Sequence, residues 1–321
     1  MAPMMDCTDR HCRYFHRQLS RRTLLYSEMI VDRAIIFGER ERLLRFNPIE
    51  HPVALQLGGN DPKLLGEATK IAVDFGYDEI NLNVGCPSGR VESGNFGAAL
   101  MKNVDLVRSC IEAMKASAGQ IPVTVKSRIG VDDQIPNNVL PEFISKVANS
   151  GCDVFIIHAR KALLGGLSPK DNRKIPPLQY PLVYEMQKKF PEFDIILNGG
   201  LTDLKYIKSC VKKRVAGVMI GREAYENPSL LLSADKEIFD KKEEVRDMKG
   251  AIWNMIEYCH RELEKGTTMR GILKHLKGAF KGQANSKDFK RLLFCNQTTD
   301  LEKLKKLSNL EIGRASCRER V

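Results

Sequence analysis

One cysteine stands where an alternating strand pattern gives way to a loop, and its thiol is the first candidate for chemistry. Ile80, Leu82 and Val84 alternate with polar residues or glycine, which is the period-2 pattern of a β-strand. Cys86 follows this run, and Pro87 prevents strand pairing directly after it. The pattern therefore places a thiol at the carboxyl end of a strand, where α/β enzymes build their sites. A small buried cysteine is the alternative, and residue type alone favours it.

Polar residues also end the other predicted strands. Glutamine, asparagine, lysine and histidine at one rim are harder to explain by packing than by a bound phosphorylated cofactor and proton transfer. Glycine-rich turns after the last two strands, beside a helix start and an arginine, are typical of a barrel's phosphate site. Each residue has a structural alternative, such as a core histidine or an ion-paired lysine. The rim candidates are Pro3, Met4, Gln56, Asn83, Lys126, Arg128, His158, Arg160, Asn198, Gly199, Gly200, Gly221 and Arg222.

Eight short apolar segments alternate with helical patterns and predict the fold class. Glycines and helix-capping residues separate them, as expected for repeated β/α units. An α/β fold with an eight-stranded (β/α)8 TIM barrel over residues 1–235 fits this count better than an open doubly wound sheet, which stays the alternative. The predicted strands cover residues 1–5, 24–30, 53–57, 81–86, 122–126, 154–158, 194–198 and 217–221.

The carboxyl-terminal part of the chain has a different pattern. From Val245 onward it is helical, so residues 243–310 are predicted to form a small all-helical domain after the barrel. Residues 311–321 have no apolar period and are expected to be a tail outside both domains. Near the start, Thr8 is expected to cap a helix over residues 9–19.

Composition limits the class of protein. Nine cysteines form no C-x-x-C pair and no zinc spacing, so reduced thiols and no metal site are expected. No apolar run has the length of a membrane span, and the start lacks the core of a secretion signal, so a cytoplasmic protein is expected. A formal net charge of +11 makes a polyanionic partner a fair hypothesis, with a merely basic soluble protein as the alternative.

A basic stretch in the helical region predicts where a polyanion would bind. Between residues 266 and 293, seven Lys/Arg residues stand against one acidic residue. Helical spacing places four of them on one face, with apolar residues opposite. Such a face can displace counterions from a phosphate backbone, whereas a solvated lysine face is the alternative. The four residues are Arg270, Lys274, Lys277 and Lys281.

Taken together, the motifs resemble one enzyme family. They are Asn81-Leu-Asn-Val-Gly-Cys-Pro-Ser88, Leu55-Gln-Leu57, Val123-Thr-Val-Lys126, His158-Ala-Arg160 and Asn198-Gly-Gly200. Over about residues 2–230 the chain resembles the tRNA-dihydrouridine synthases. Two further stretches resemble the A-type bacterial subfamily, namely Thr8–Phe15 and Gly166–Lys170 with Asn172 and Arg173.

The resemblance implies a redox reaction on RNA. Family members bind FMN, use NADPH and reduce the C5=C6 bond of uridines in tRNA, and the A-type acts in the D-loop around positions 20 and 20a. Cys86 takes the place of the general acid that protonates C5 after flavin N5 delivers hydride to C6. An unperturbed thiol is mostly protonated at neutral pH, so it can serve as this acid. A monomer that binds tRNA and no membrane is expected.

The resemblance also assigns two sets of binding residues. The FMN pocket is assigned to Pro3, Met4, Gln56, Lys126, His158, Asn198, Gly199, Gly200, Gly221 and Arg222. RNA contacts are assigned to Asn83, Lys170, Arg173, Lys287 and Lys290, beside the basic stretch. Where the family has an arginine-rich cluster, this chain has lysines at 287 and 290, which keep the charge but lose bidentate phosphate geometry. Cys7 stands where the A-type pattern has tryptophan, a change without a structural account.

Two other functions remain open from the sequence. One is an FMN barrel that acts on a small molecule such as a free pyrimidine or an enone, and the basic stretch argues against it. The other is a non-catalytic RNA-binding protein that kept the barrel scaffold.

Overall fold

The computed structural model describes residues 1–240, 246–284, 286–294, 302 and 306–307. Contacts divide the chain into two compact units. The first unit comprises Met1–Thr8 and Leu24–Gly221, and the second comprises Asp9–Thr23 together with the described residues from Arg222 onward. The second unit therefore begins before the predicted boundary between residues 235 and 243. The predicted tail over 311–321 lies outside the described residues.

A parallel sheet of seven strands forms the centre of the first unit. Its strands follow one another in sequence order, and every neighbouring pair is parallel. Such pairing needs a crossover between consecutive strands, which agrees with the predicted β/α repeats. The strands are β1 Leu25–Val31, β2 Val53–Gly58, β3 Glu79–Val84, β4 Val123–Arg128, β5 Val154–His158, β6 Asp194–Asn198 and β7 Gly217–Met219.

The first of the eight predicted strands is not a strand, because residues 1–4 lie outside the sheet ladders. Ala2 N donates to Ile220 O at 2.7 Å, directly beyond β7. The amino group of Met1 donates to Leu24 O at 2.8 Å, directly before β1. This extended segment thus makes one bond toward each edge strand, too few to form a ladder. The other seven predicted strands are confirmed, with ends shifted by at most two residues.

Residues from both edges of the sheet share one buried cluster. Tyr26 of β1 and Met219 of β7 pack there with Ala2, Ala54 and Ile156. Since β1 and β7 are the two outer strands of the sheet order, the sheet must curve to bring them to the same core. The curvature gathers the carboxyl ends of the strands, where the rim candidates lie.

Helices connect the strands of the first unit, and short helices dominate the second. Pro62 occupies the first turn of its helix, and Asp61 caps it by accepting from the backbone N–H groups of residues 63 and 64. The α-helices are α1 Arg10–Leu19, α2 Asp32–Phe37, α3 Arg40–Leu44, α4 Pro62–Asp74, α5 Gly89–Ser93, α6 Val104–Ala118, α7 Pro136–Ala148, α8 Tyr180–Lys189, α9 Leu204–Lys213, α10 Arg222–Glu226, α11 Ser229–Leu232, α12 Ala234–Glu237, α13 Met248–Glu264, α14 Met269–Leu273 and α15 Ser286–Phe294. The 3₁₀-helices are Pro48–Glu50, Gly97–Lys102, Asp171–Arg173 and Lys274–Gly278.

Helix α1 belongs to the second unit because it packs on α13. The rings of Tyr14 and Tyr258 stack with centroids 3.9 Å apart. His11 Nδ1 lies 2.7 Å from the Tyr258 hydroxyl, and Arg10 forms an ion pair with Glu262, whose side chain is largely buried. These contacts join segments far apart in the sequence, and the sequence pattern does not reveal them. Helix α1 was therefore predicted as part of the barrel.

Asp9, and not Thr8, caps α1. One carboxylate oxygen accepts from His11 N and Cys12 N, each at 3.0 Å, and the other accepts from the buried His275 Nε2 at 2.9 Å. Burial alone would raise the pKa of Asp9, but the hydrogen bond and the charge of His275 hold it well below its usual range. A lowered native pKa means that this carboxylate stabilises the fold above the unfolded pKa and loses its effect as pH falls toward the native one.

Asp9→Ala is expected to lower the free energy of unfolding by about 2–4 kcal/mol, because it removes a helix cap and leaves Nε2 of the buried His275 without its acceptor. Urea unfolding at pH 7 measures this loss, and the difference from the wild type should shrink below about pH 4. Asp61→Ala, which removes only the cap of α4, is the matched control with an expected loss of about 1 kcal/mol. Equal losses in the two variants would contradict the role of His275.

Candidate active site

The strand register aligns the rim candidates. Lys126 on β4 pairs with Asn83 on β3. On the other side of β4, Arg128 pairs with His158 of β5, which in turn pairs with Asn198 of β6. Because the strands are parallel, the side chains near their carboxyl ends lie at the same edge of the sheet.

The backbone on both sides of the candidate thiol is fixed by hydrogen bonds. Asn83 Oδ1 accepts from Gly85 N at 3.0 Å and from Cys86 N at 2.9 Å. Cys86 O accepts from Ala98 N at 2.9 Å. The side chain is only half-buried, and Sγ lies 3.5 Å from the hydroxyl oxygen of Ser88. The thiol is therefore held in place while it remains accessible.

A chain of buried amides supports Asn83 from inside the sheet. Asn83 Nδ2 donates to Gln56 Oε1, Gln56 Nε2 donates to Asn81 Oδ1, and Asn81 Nδ2 donates to Thr124 Oγ1, each at 2.8 Å. The Thr124 hydroxyl donates to Glu79 at 2.7 Å. The amide oxygen of Asn83 is thus occupied, and one of its N–H groups stays available for a ligand. The sequence analysis missed this chain, although Glu79, Asn81 and Asn83 share one strand face.

Glu79 is the acceptor at the far end of this chain. It accepts from the hydroxyl of Tyr26 as well as from Thr124, and all three residues are buried. Burial raises the pKa of Glu79 and, together with the nearby carboxyl, the pKa of Tyr26. The two hydroxyl donors satisfy a carboxyl that would be costly to bury alone.

Lys126 supplies a cation with no protein partner at this rim. Within the described residues its ammonium group makes no hydrogen bond and no ion pair. Burial lowers the pKa of Lys126 to about 7, with a further lowering by Arg128 and an opposing effect of Cys86. An amine in such surroundings is costly to keep charged unless a ligand supplies an acceptor, so Lys126 fits a site for an anionic or carbonyl-rich group.

Arg128 bridges two loops at the same rim. Its Nε donates to Gly85 O at 3.1 Å, and its Nη1 donates to Lys161 O and Asn172 O, both at 3.1 Å. Burial lowers the pKa of Arg128 to about 10, and neighbouring arginines add to the lowering while Cys86 opposes it. The sequence analysis placed this residue at a strand end but gave it no role. Its spacing from Lys126 on one strand face was the available signal.

The turn after β6 has the shape of an anion cradle. Gly199 and Gly200 have φ angles of +114° and +67°. A Cβ at Gly199 would lie 2.5 Å from His158 Cδ2, so only glycine fits. The backbone N–H groups of both glycines donate to no acceptor within the described part of the chain. The amide of Asn198 fixes this turn to the next strand by donating to Met219 O at 2.7 Å.

Gly221 lies near the start of the chain. A Cβ on Gly221 would lie 3.6 Å from Met4 Sδ and 3.5 Å from Ala2 Cβ. The backbone N–H of Met4 donates to Thr8 Oγ1 at 2.9 Å, which fixes the segment that contains Pro3. Pro3 and Met4 are both half-buried, so they can line a pocket.

Of the remaining site predictions, Arg173 lies close enough to Arg128 to add to the lowering of its pKa, and no described contact brings Arg222 or Lys170 to this rim. Arg222 is exposed, begins α10 and belongs to the second unit. Lys170 and Arg173 are exposed in the long loop after β5. Their roles therefore stay predictions.

The four basic residues of the stretch do not lie on one continuous α-helix, although the apolar residues predicted opposite them are buried. The stretch is divided into α14, the 3₁₀-helix Lys274–Gly278 and a turn, so no single helix carries the four residues. Lys274 Nζ lies 3.2 Å from Asp9, and Lys281 Nζ lies 3.7 Å from Glu223. Arg270 and Lys277 are exposed. In α15, Lys287 is exposed and Lys290 is half-buried.

The described residues contain no candidate metal site and no candidate membrane span. Across the described ranges, no three His, Cys, Asp or Glu side chains come together in a way that could hold a metal ion. None of the helices in this part of the chain has the length and apolar character needed to cross a membrane.

Two solved structures illustrate which known proteins have a similar fold. An old yellow enzyme homologue from Zymomonas mobilis aligns with a TM-score of 0.54 at 14% identity, over 77% of this chain and 89% of that chain. A structure described as TcOYE with pHBA aligns with a TM-score of 0.52 at 11% identity, over 74% and 88% of the two chains. At these identities the likeness shows a common α/β fold with a parallel sheet.

Sequence comparison is more specific. The model of the dihydrouridine synthase (Dus) family matches residues 1–315. A protein from Synechocystis described as "tRNA-dihydrouridine(20/20a) synthase" is 53% identical over 293 residues, 91% of this chain and 87% of that protein. Proteins of the same description from Vibrio cholerae and Escherichia coli K12 are 51% and 50% identical, over 91% of this chain and 88% and 84% of theirs. With a match of this length and this degree of identity, the chain belongs to the dihydrouridine synthase family.

Proposed function

We propose that this protein reduces the C5=C6 bond of uridines at positions 20 and 20a of the tRNA D-loop. The observation that carries the proposal is the half-buried Cys86 thiol at the rim that also holds Lys126 and the glycine cradle. Relatives at 50–53% identity are described as tRNA-dihydrouridine(20/20a) synthases. The proposal includes FMN as the cofactor, NADPH as the reductant, a barrel formed by the curved sheet with a separate helical domain, a monomeric state and a cytoplasmic location.

The residues present at the rim fit FMN. The free N–H groups of Gly199 and Gly200 suit its phosphate, and Arg222 follows the second glycine turn. Lys126 suits the ring system, whose carbonyl groups can accept from its ammonium group. Gln56, His158, Asn198, Pro3 and Met4 complete the proposed pocket. When bound, FMN supplies the hydride that reaches C6 of the uracil.

Cys86 supplies the proton in this proposal. Addition of hydride to C6 leaves negative charge on the uracil, and Sγ gives its proton to C5. Hydride and proton together saturate the double bond, and the thiolate takes a proton from solvent before the next turnover. Ser88, whose hydroxyl lies 3.5 Å from Sγ, can donate to the thiolate in the meantime. Asn83 offers its free N–H to a carbonyl of the base.

The substrate must enter this rim as an extruded base, because a stacked uridine is out of reach. Exposed cations suit the phosphates around it. We assign this role to Lys170, Arg173, Arg270, Lys277 and Lys287, with Lys274, Lys281 and Lys290 as secondary contacts because they are half-buried or lie near carboxylates.

A reconstituted reaction tests the proposal. Purified protein with FMN, NADPH and unmodified tRNA is expected to form dihydrouridine at positions 20 and 20a, mapped by reverse transcription or mass spectrometry. Purified protein that binds no flavin would contradict the proposal. Turnover of free pyrimidines or enones without salt-dependent affinity for tRNA would support the small-molecule alternative.

Cofactor binding is expected to take up a proton at Lys126. Its pKa of about 7 in the free protein should rise when FMN supplies acceptors and negative charge. Affinity for FMN should therefore be greatest below pH 7 and weaken above it, by up to about tenfold per pH unit until the raised pKa is reached. Calorimetry in buffers of different ionisation enthalpy measures the uptake. Lys126→Met should abolish it, while Lys70→Met, an exposed site on α4, should not.

A further inference from the structure

Arg128 is buried without a carboxylate partner in the described part of the chain. Its side chain is 3% exposed, and every acceptor that it contacts is a backbone carbonyl. Burying a guanidinium group costs free energy unless its N–H groups donate to acceptors. Here three backbone carbonyl oxygens, each at 3.1 Å, must be placed to accept from it. The position of each carbonyl is therefore linked to the position of the others.

The three carbonyls come from two different loops. Gly85 immediately precedes Cys86, so one bond fixes the backbone that carries the thiol. Lys161 and Asn172 belong to the long loop after β5, and Asn172 immediately precedes Arg173. One planar side chain thus connects the loop of the proposed acid to the loop that carries Lys170 and Arg173.

Hydrogen bonds hold the second loop at the point where Arg128 contacts it. Asn172 is fully buried, and its amide donates to Leu163 O at 2.9 Å and accepts from Leu163 N at 2.8 Å. Lys170 and Arg173, on either side of it, are exposed. A displacement of these two side chains is therefore expected to move the Asn172 carbonyl group and, through it, Arg128.

We propose that Arg128 is a positioning residue that couples tRNA engagement by the loop after β5 to the placement of the Cys86 thiol. The coupling rests on the proposed function. It predicts that the acid is placed correctly only when the loop is held, and that a displacement of about 1 Å costs up to about a hundredfold in rate. Lysine cannot replace the fork, since one ammonium group does not reach three carbonyls in two loops.

The first test separates positioning from folding and binding. In Arg128→Met we expect flavin content, the rate of flavin reduction by NADPH and the Kd for tRNA to stay within about twofold of the wild type. The single-turnover rate of dihydrouridine formation should fall about 10- to 100-fold. Arg128→Lys should recover only part of it, and Arg33→Met, an exposed site on α2, should change nothing. Loss of flavin or of tRNA affinity in Arg128→Met would make the residue merely structural and overturn the proposal.

The second test concerns the coupling itself. Lys170→Ala is expected to lower the single-turnover rate in the wild type but to have little further effect in Arg128→Met, because the connection to Cys86 is already broken. Additive effects of the two substitutions would show independent roles and overturn the coupling.

A third readout does not depend on RNA chemistry. Alkylation of Cys86 by iodoacetamide, followed by peptide mass spectrometry, should be several-fold faster in Arg128→Met than in wild type or Arg33→Met, because the Gly85 carbonyl is released. Equal rates would overturn the positioning role. If the alkylation rates differ in this way but the wild-type protein makes no dihydrouridine, the proposed function would be contradicted and the positioning role would stand.

Discussion

Replacing Cys86 with alanine is expected to lower the rate of dihydrouridine formation by about 10²- to 10⁴-fold, the usual contribution of a general acid. The backbone bonds to Asn83 and Ala98 do not involve the thiol, so flavin content and tRNA affinity should be unchanged. Single-turnover mapping of dihydrouridine with prereduced enzyme measures the effect directly.

The matched control for this substitution is Cys7→Ala. Cys7 and Cys86 are the two partly exposed thiols among the described residues, and the others described are buried. Cys7→Ala is expected to turn over at the wild-type rate. A Cys86→Ala variant that formed dihydrouridine as fast as the wild type would show that another group gives the proton to C5.

Gly199→Ala is expected to remove most of the bound flavin and to raise the Kd for FMN at least about tenfold. A side chain at a φ of +114° costs about 1–3 kcal/mol, and the added Cβ would lie 2.5 Å from the ring of His158. Relief of that clash must move either the histidine or the cradle, and both belong to the proposed pocket. Flavin absorbance after desalting and a fluorescence titration with FMN measure the loss.

Gly76→Ala separates backbone strain from the clash. Gly76 has a φ of +89°, and a Cβ there would meet no atom within 4 Å. This variant should lose some stability but keep its flavin. If Gly199→Ala bound FMN like Gly76→Ala, the glycine turn after β6 would not be the phosphate site.

Local patterns were sufficient to predict the seven strands of the sheet. Strand alternation and glycine turns are encoded within a few residues, so β1 to β7 and the glycine turn at Gly199 and Gly200 followed from them. The family motifs depend on the same local stretches. The predicted first strand did not form because a strand depends on ladder partners. Residues 1–4 make one backbone hydrogen bond toward each edge strand.

Features that depend on distant partners could not be predicted. The basic stretch has helical spacing, but Gly278 packs so closely on the backbone of Glu226 that a Cβ there would lie 2.6 Å from its carbonyl oxygen. Lys274 is drawn to Asp9, a residue near the other end of the chain. The three carbonyl bonds of Arg128 likewise depend on how two loops meet. Periodicity contains no information about such contacts.

The buried amides beneath Asn83 have a common polarity that runs along β3 and its neighbours β2 and β4. Each amide turns its nitrogen toward the base of the sheet and its oxygen toward the rim, and Glu79 ends the series as an acceptor only. Reversing any one amide would set two donors or two acceptors against each other. The carboxyl group of Glu79 thus determines which end of the Asn83 amide faces Cys86, although Glu79 lies at the opposite end of the hydrogen-bond series from the rim.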